Sequence, residues 1–249
     1  MISEIFNTLV YKPLYNSLIL LLWFIPGANM GYAIIVLTVL VRGVLFPFSH
    51  KSITAQKKMQ ALDGKIKEIK EKYSDKQDQA TKTMALYKEH GVNPFSGCLF
   101  LLIQLPIIFA LYWVFSRGIV TSGVDLSLLY SFVHAPTNIS FHFFGFNLTE
   151  KSIILALCAG ATQYLQMRLS LPSKSVSSQI KKTDGSIQFS EEFKNALAIQ
   201  SRYILPVMIF IFAYQFQSAI ALYWTTNNIF SIIHEYSVAR KAKKLLLKA

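Results

Sequence analysis

The segment Gly31–Phe48 reads GYAIIVLTVLVRGVLFPF, an apolar run long enough to cross a lipid bilayer. One charged residue, Arg42, interrupts it, and Thr38 lies one helical turn earlier on the same face. A cation at membrane depth costs about 2.5–3.5 kcal/mol on insertion scales, so such a residue indicates a functional site by default. The segment therefore predicts a transmembrane helix that carries a functional arginine.

The rest of the chain offers Arg42 few acidic partners. Of the 13 Asp and Glu residues, only Glu235 falls near the end of another apolar stretch. Two alternatives exist: an ion pair with Glu235, or extension of the arginine side chain to the inner interface near Phe48. Without either, Arg42 must be hydrated in a cavity or receive a carboxylate from another molecule. We therefore predict a site inside the membrane that accepts an acidic group.

The composition places the whole chain in the membrane. It has 249 residues, 53% of them hydrophobic, a mean hydropathy of +0.38 and a net charge of +12. The basic residues cluster: ten Lys lie in 49–95, six Lys or Arg in 168–203 and five in 238–249, whereas 118–150 has none. The positive-inside rule makes the three basic segments cytoplasmic and 118–150 external. The N-terminus is then outside and the number of spans is odd.

These patterns predict an all-α integral membrane protein with five transmembrane helices. An amphipathic N-terminal interfacial helix and a cytoplasmic helical hairpin complete the predicted fold. The predicted segments are an extracytoplasmic amphipathic helix at 1–28, a first transmembrane helix at 29–48, the cytoplasmic hairpin at 49–95, transmembrane helices two to five at 96–240 with a cytoplasmic loop at 168–202, and a basic cytoplasmic tail at 241–249.

Finer boundaries follow from breakers and periodicity. The uninterrupted apolar part of the N-terminal segment, Leu18–Ile25, is too short to span, so we expect that segment in the outer interface; a short extra span is the alternative. The third span is expected at 144–167. The last two share 203–236, about 17 residues or 25 Å each, which is short for a bilayer core. In the hairpin, an apolar stripe from Met59 to Tyr73 ends at a turn, Ser74–Lys76, and 173–186 is expected to be disordered.

Uncharged polar residues recur within the predicted spans. They can act as interhelical hydrogen-bonding groups, and for any single glutamine this reading is favoured. Taken together with Arg42, however, polar stripes on three helices suggest a hydrophilic groove. The residues are Thr38, Gln104, Gln163, Gln166, Tyr214, Gln215, Gln217, Thr225, Thr226, Asn227 and Asn228.

Catalytic motifs are absent from the sequence. It contains no phosphate-binding GxxxxGK[ST] loop, no HExxH motif and no Ser/His/Asp grouping within the spans. The five histidines are scattered over both predicted sides, and neither Cys98 nor Cys158 has metal-ligand spacing around it. We therefore expect no enzyme activity, no cofactor and no metal.

Four stretches carry a resemblance to a known family. They are VRGVLFP (41–47), VNPFSGCLFLLIQLPI (92–107) with ALYW (110–113), TQYLQ (162–166) and ALYWTTNN (221–228). In order and spacing they resemble the YidC/Oxa/Alb insertase family, and the resemblance covers about residues 5–240. It implies a five-helix core with a hydrophilic groove that is open to the cytoplasm and to lipid and closed to the outside.

The resemblance also assigns roles by motif. Arg42 matches the groove arginine of the family, Thr38 a position that lines the substrate path, Gln166 the groove glutamine of the third helix, and Trp224 an aromatic position that contacts substrate. With their polar neighbours, the predicted groove residues are Thr38, Arg42, Gln163, Gln166, Tyr223, Trp224 and Asn228. One departure concerns Phe216–Ile220, which lacks the usual Pro-Ser/Ala-Gly turn and so puts the tightness of that outer turn in doubt.

The hypothesis is a membrane protein insertase of the bacterial plasma membrane, multi-pass, with the N-terminus outside and the C-terminus in the cytoplasm. It would act as a monomer and without nucleotide, with nascent membrane proteins, the ribosome, membrane lipids and the Sec translocon as partners, and no DNA. The alternative is a small anion transporter or channel that uses Arg42. That alternative predicts an internal repeat, which the sequence does not show.

Overall fold

A computed structural model describes residues 2–93, 96–115, 123–170 and 200–246. The predicted disordered stretch 173–186 and most of the predicted loop 168–202 lie outside the described residues. The chain divides into two compact units. The first comprises Met1–Val44 and Leu105–Ile233, and the second comprises Leu45–Gln104 and His234–Ala249.

The described structure is predominantly helical. In chain order, the helices are α1 (Ile2–Phe6), a π-helical segment (Asn7–Tyr11), α2 (Lys12–Phe24), a 3-10 turn (Pro26–Ala28), α3 (Met30–Val44), α4 (Phe46–Ala61), α5 (Asp63–Lys72), α6 (Lys76–Glu89), α7 (Ser96–Trp113), a second 3-10 turn (Leu126–Leu128), α8 (Ile153–Ser170), a second π-helical segment (Gln200–Ile204), α9 (Leu205–Gln215) and α10 (Ser218–Leu246). A two-residue strand pair, β1 (His142–Phe143) and β2 (Phe146–Asn147), precedes α8.

The N-terminal helical segment of the first unit packs along the loop 123–150. Asn16, only 3% exposed, donates to the carbonyl oxygens of Lys12 (2.8 Å) and Leu128 (2.9 Å) and accepts from the backbone N–H of Tyr130 (2.7 Å). The hydroxyl of Tyr15 accepts from the backbone N–H of Asp125 at 2.7 Å. A buried amide that satisfies three backbone partners explains why this polar residue lies on the buried face.

The same loop sets the start of α3. Asn29 caps the helix, because its Oδ1 accepts from the backbone N–H of Gly31 (3.0 Å) and of Tyr32 (3.3 Å). Its Nδ2 donates to the carbonyl of His142 at 2.8 Å, and the N–H of Met30 donates to the carbonyl of Ser140 at 2.9 Å. The first predicted transmembrane helix therefore begins on a framework built from the loop 123–150.

The expected start of the third span was wrong. The hydrophobic residues from Phe144 onward do not begin a helix, because Phe143 and Phe146 pair across a tight turn. Phe144 (φ 47°) and Gly145 (φ 83°) both adopt the left-handed conformation that such two-residue hairpin turns require. The helix α8 begins only at Ile153, and the Ser152 hydroxyl caps it by accepting from the N–H of Leu155 at 3.3 Å.

The turn between α9 and α10 is tight despite its unusual sequence. Only two residues, Phe216 and Gln217, separate α9 from α10. Ser218 ties the turn to the preceding loop: its N–H donates to the carbonyl of Glu150 (2.8 Å) and its hydroxyl to the carbonyl of Asn147 (3.0 Å). The expected equal division of 203–236 was wrong, because α10 contains no Gly or Pro and continues as far as Leu246.

The second unit contains the basic hairpin. Asp75 caps α6 by accepting from the N–H of Asp78 at 3.1 Å, and Gln79 Nε2 donates to the carbonyl of Tyr73 at 2.6 Å. Burial raises the pKa of the Tyr87 hydroxyl, and the negative charge of Asp63 raises it further. The predicted apolar stripe from Met59 to Tyr73 does not lie on one helix, because α4 ends just before Leu62 and α5 begins just after it.

Length and composition identify few membrane spans among the described residues. One helical stretch, Glu4–Phe24, is long and apolar enough to cross a bilayer, and α3 with α4 passes the same test only when the two are counted as one broken span. Two shorter apolar stretches fall below the required length: Gln104–Trp113, which is part of α7, and Arg202–Gln215, which combines most of the second π-helical segment with α9. The expected number of five spans stays a prediction.

Candidate functional site

Arg42 is buried within the first unit. It is 5% exposed, and Thr38 one turn earlier on α3 is 2% exposed. The Nε of Arg42 donates to the side-chain Oδ1 of Asn227 on α10 at 2.6 Å. The side chain is therefore directed toward a neighbouring helix and does not extend out of the bundle, which contradicts the alternative of extension to the inner interface. The alternative ion pair with Glu235 stays a prediction.

Thr38 satisfies its own hydroxyl within α3. Its Oγ1 donates to the carbonyl of Ile34 at 2.6 Å, the usual arrangement for a threonine inside a helix. Because this bond leaves the hydroxyl oxygen able to accept a hydrogen bond, Thr38 keeps polar character at a buried position. Thr38 and Arg42 thus form a short polar stripe in an otherwise apolar helix.

A second group of α10 faces Arg42. Tyr223 is 5% exposed and lies near the arginine. It lies four residues before Asn227, so the two side chains occupy one face of α10. The guanidinium is therefore bound to α10 through Asn227, and Tyr223 lies one helical turn away.

The adjacent face of α10 binds α8. The indole Nε1 of Trp224 donates to Oε1 of Gln163 at 3.0 Å, and Gln163 is 5% exposed. Asn228, 1% exposed, donates through Nδ2 to Oγ1 of Thr162 at 3.2 Å and to the carbonyl of Ala159 at 3.4 Å. Trp224 and Asn228 are again one turn apart, so α10 bonds to α3 through Asn227 and to α8 through Trp224 and Asn228.

The structure thus brings together most of the predicted groove residues. Six of them, Thr38, Arg42, Gln163, Tyr223, Trp224 and Asn228, lie on α3, α8 and α10 of the first unit. The seventh, Gln166, lies on α8 three residues after Gln163 and is only half-buried. The site is consequently more open at Gln166 than at Gln163.

Sequence reasoning missed the role of Asn227. It was noted as one polar residue among many, whereas the structure makes it a hydrogen-bond partner of Arg42. The available signal was its position four residues after Tyr223, which places both side chains on the same face of the helix. The neighbouring Thr225 and Thr226, in contrast, donate back to the carbonyls of Ala221 and Leu222 in their own helix, both at 2.8 Å.

An apolar crevice adjoins the polar cluster. It has a volume of about 230 Å³, including the open space at its mouth. Trp224 belongs to both regions, because its ring lines the crevice while its Nε1–H reaches Gln163. The crevice lies between α7, α9 and α10 and is lined by Ile108, Leu111, Tyr112, Phe115, Phe212, Ile220, Tyr223 and Trp224.

The chemistry of the cluster is suited to binding. It combines one cation with uncharged amides, hydroxyls and aromatic rings, which can hold an acidic or polar segment next to an apolar one. In the part of the chain that the structure describes, no three His, Cys, Asp or Glu residues come together to hold a metal ion.

Comparisons with known proteins establish the family. The chain belongs to the 60Kd inner membrane protein family, whose pattern matches residues 23–245. This confirms the resemblance to the YidC/Oxa/Alb family. The chain is 32% identical to the membrane protein insertase YidC of Fusobacterium nucleatum, and the alignment covers 86% of this chain and 87% of that protein.

Two further similarities agree with this assignment. The chain is 31% identical to the membrane protein insertase MisCA of Bacillus subtilis, over 86% of this chain and 72% of that one. Among solved structures, it resembles an active YidC insertase crystal structure with the first transmembrane domain resolved, at 25% identity and a TM-score of 0.55. That alignment covers 90% of this chain and 45% of the solved one.

Proposed function

We propose that this protein is a membrane protein insertase of the bacterial plasma membrane. The observation that carries the proposal is the buried Arg42, which bonds to Asn227 on the helix α10 that also binds α8 through polar side chains. Family membership supports it, as do the insertase names of relatives that align over most of this chain. The groove consists of Thr38, Arg42, Gln163, Gln166, Tyr223, Trp224 and Asn228.

The proposed membrane arrangement has five spans, α3, α7, α8, α9 and α10, with the N-terminus outside. The N-terminal helical segment then lies in the outer interface. The hydrogen bonds of Tyr15 and Asn16 support this placement. Both residues lie near the middle of the N-terminal segment, and they bond to residues 125–130 of the external loop. The midpoint of a spanning helix would instead lie about 15 Å below the surface, half the thickness of the hydrocarbon core.

Insertion in this proposal needs no nucleotide. An acidic or polar tail of a nascent protein enters the groove from the cytoplasm, where the positive charge of Arg42 attracts it more strongly than in bulk water. The short helices α3 and α9 imply a locally thin bilayer, which shortens the apolar barrier. The apolar segment of the client then moves sideways into lipid, gaining about 25 cal/mol per Å² buried.

The same proposal assigns the partners. Nascent membrane proteins are the clients, and the protein acts as a monomer beside the Sec translocon and membrane lipids. The basic hairpin α4–α6 and the tail of α10 attract the ribosome, whose RNA is anionic, and this attraction weakens as salt is added.

Photo-crosslinking tests the function directly. A photoreactive residue at Thr38 or Trp224 is expected to crosslink a stalled nascent chain of a single-span client. The matched controls, Val39 on α3 and Ile229 on α10, are 44% and 45% exposed and point away from the cluster, so we expect much weaker crosslinks there. Crosslinks of equal strength at all four positions would count against the groove. Chloride flux through proteoliposomes that lack a client would favour the transporter alternative.

The position of the N-terminus tests the membrane arrangement. A cysteine in a short hydrophilic extension ahead of Met1, in a variant without Cys98 and Cys158, is expected to react with an impermeant maleimide in intact cells. A cysteine at Asp78 in α6 is expected to react only after the membrane is permeabilised. The reverse result for the N-terminal cysteine would mean that the stretch Glu4–Phe24 crosses the bilayer.

A further inference from the structure

Asn227 accepts a hydrogen bond from the Arg42 side chain, with 2.6 Å from Oδ1 to Nε. We propose that Asn227 is a positioning residue that orients the Arg42 guanidinium in the groove without neutralising it. The inference rests on the proposed function and deepens it, because it identifies what keeps the cation directed at the client segment.

The contact restricts the arginine at a specific atom. A guanidinium presents its five N–H donors in a rigid planar fork, and a hydrogen bond at Nε fixes the plane and the direction of that fork. Asn227 is itself held by α10, where the hydroxyl of Ser231 donates to its backbone carbonyl at 2.9 Å. Tyr223 lies one turn earlier on the same helix. The fork is therefore oriented by a helix that also carries Trp224 and Asn228.

The chemistry of the partner matters as much as its position. An amide oxygen accepts the Nε–H as a carboxylate would, but it carries no net charge and leaves the positive charge of Arg42 unchanged. An aspartate at residue 227 would have nearly the same shape and would form a charge-assisted bond to the arginine. It would therefore hold the side chain more firmly and at the same time cancel the charge that attracts an acidic client segment.

This difference gives a test in which stability and activity move in opposite directions. Purified variants are reconstituted in proteoliposomes, and insertion of a single-span client with an acidic tail is compared with that of a client with a neutral tail. Thermal unfolding of the same variants is measured in detergent. Asn227→Asp is expected to keep or raise the melting temperature while insertion of the acidic-tail client falls about tenfold, equivalent to ~1.4 kcal/mol.

Two further variants complete the design. Asn227→Leu removes the acceptor and is expected to lower insertion of the acidic-tail client, with little effect on the neutral-tail client. Thr226→Val is the control, since its hydroxyl bonds only within its own helix, and it is expected to behave like the wild type. A merely structural role for Asn227 would instead lower the melting temperature and the insertion of both clients together.

The failures of the two proposals can be told apart. If Arg42→Ala reduces insertion but Asn227→Asp and Asn227→Leu match the wild type, the inference is overturned and the proposed function stands. If the wild type inserts neither client, the proposed function fails. A thermal double-mutant cycle between Arg42→Met and Asn227→Leu checks the contact in either case, and additive shifts in melting temperature overturn the inference.

Discussion

Arg42→Glu is expected to abolish insertion of single-span clients that carry acidic tails. The substitution replaces the buried cation with an anion at the same place beside Asn227 and Tyr223. At an effective dielectric constant of about 20, unit charges about 4 Å apart interact by about 4 kcal/mol, so reversing the sign changes attraction into repulsion of similar size. Arg42→Ala should cause a smaller loss, and Arg42→Lys should keep more insertion than Arg42→Ala because it keeps the charge, although it lacks the Nε–H that Asn227 binds.

The measurement is in vivo insertion of matched clients with acidic and neutral tails, scored by protease accessibility of the translocated tail. Arg168→Glu is the control, because it makes the same charge change at an exposed position near the end of α8. Normal insertion of the acidic-tail client by Arg42→Glu would refute the electrostatic mechanism.

Gly31→Ala is expected to lower the stability of the protein through a single added methyl group. A Cβ at residue 31 would overlap the ring of Phe143, which is itself packed edge-on against Tyr32 and Phe144. Relieving the overlap requires β1 to move away from α3, and this would strain the hydrogen bond from Asn29 to the carbonyl of His142. Overpacking of this kind typically costs about 1–3 kcal/mol.

Gly43→Ala provides the matched control for that prediction. Gly43 lies in the same helix, and a Cβ there would meet no atom within 4 Å. Because alanine is a better helix former than glycine, Gly43→Ala should keep or slightly raise the melting temperature in detergent. Equal shifts for the two variants would show that Phe143 does not pack against α3 as described.

The sequence was sufficient to identify the family and most residues of the site. Charged and polar residues are costly in lipid, so Arg42, Thr38 and the glutamines stand out against an apolar background without any structural information. The tight turn before α10 was harder to predict, since Phe216 and Gln217 have no turn signature. The structure makes it tight through Ser218, whose bonds to the carbonyls of Asn147 and Glu150 join residues about 70 positions apart.

Two errors in the helix boundaries have the same origin. The apolar residues at 143–146 fit a helix as well as a strand, and only the pairing of Phe143 with Phe146 selects the hairpin. The long apolar stretch 203–236 was divided equally because its sequence contains no clear breaker. In the first case the apolar pattern fitted both a helix and a strand. In the second it gave no position for the turn, which is fixed where Ser218 bonds to the distant carbonyls of Asn147 and Glu150.

By itself, the sequence determined that this chain is a helical membrane protein of the insertase family, and it predicted a functional arginine at residue 42, because hydropathy and charge act on each segment separately. Only the tertiary structure decided which side chains that arginine meets. A pairing such as Arg42 with Asn227 depends on how α3 and α10 are rotated and aligned, and packing across the whole bundle fixes that geometry.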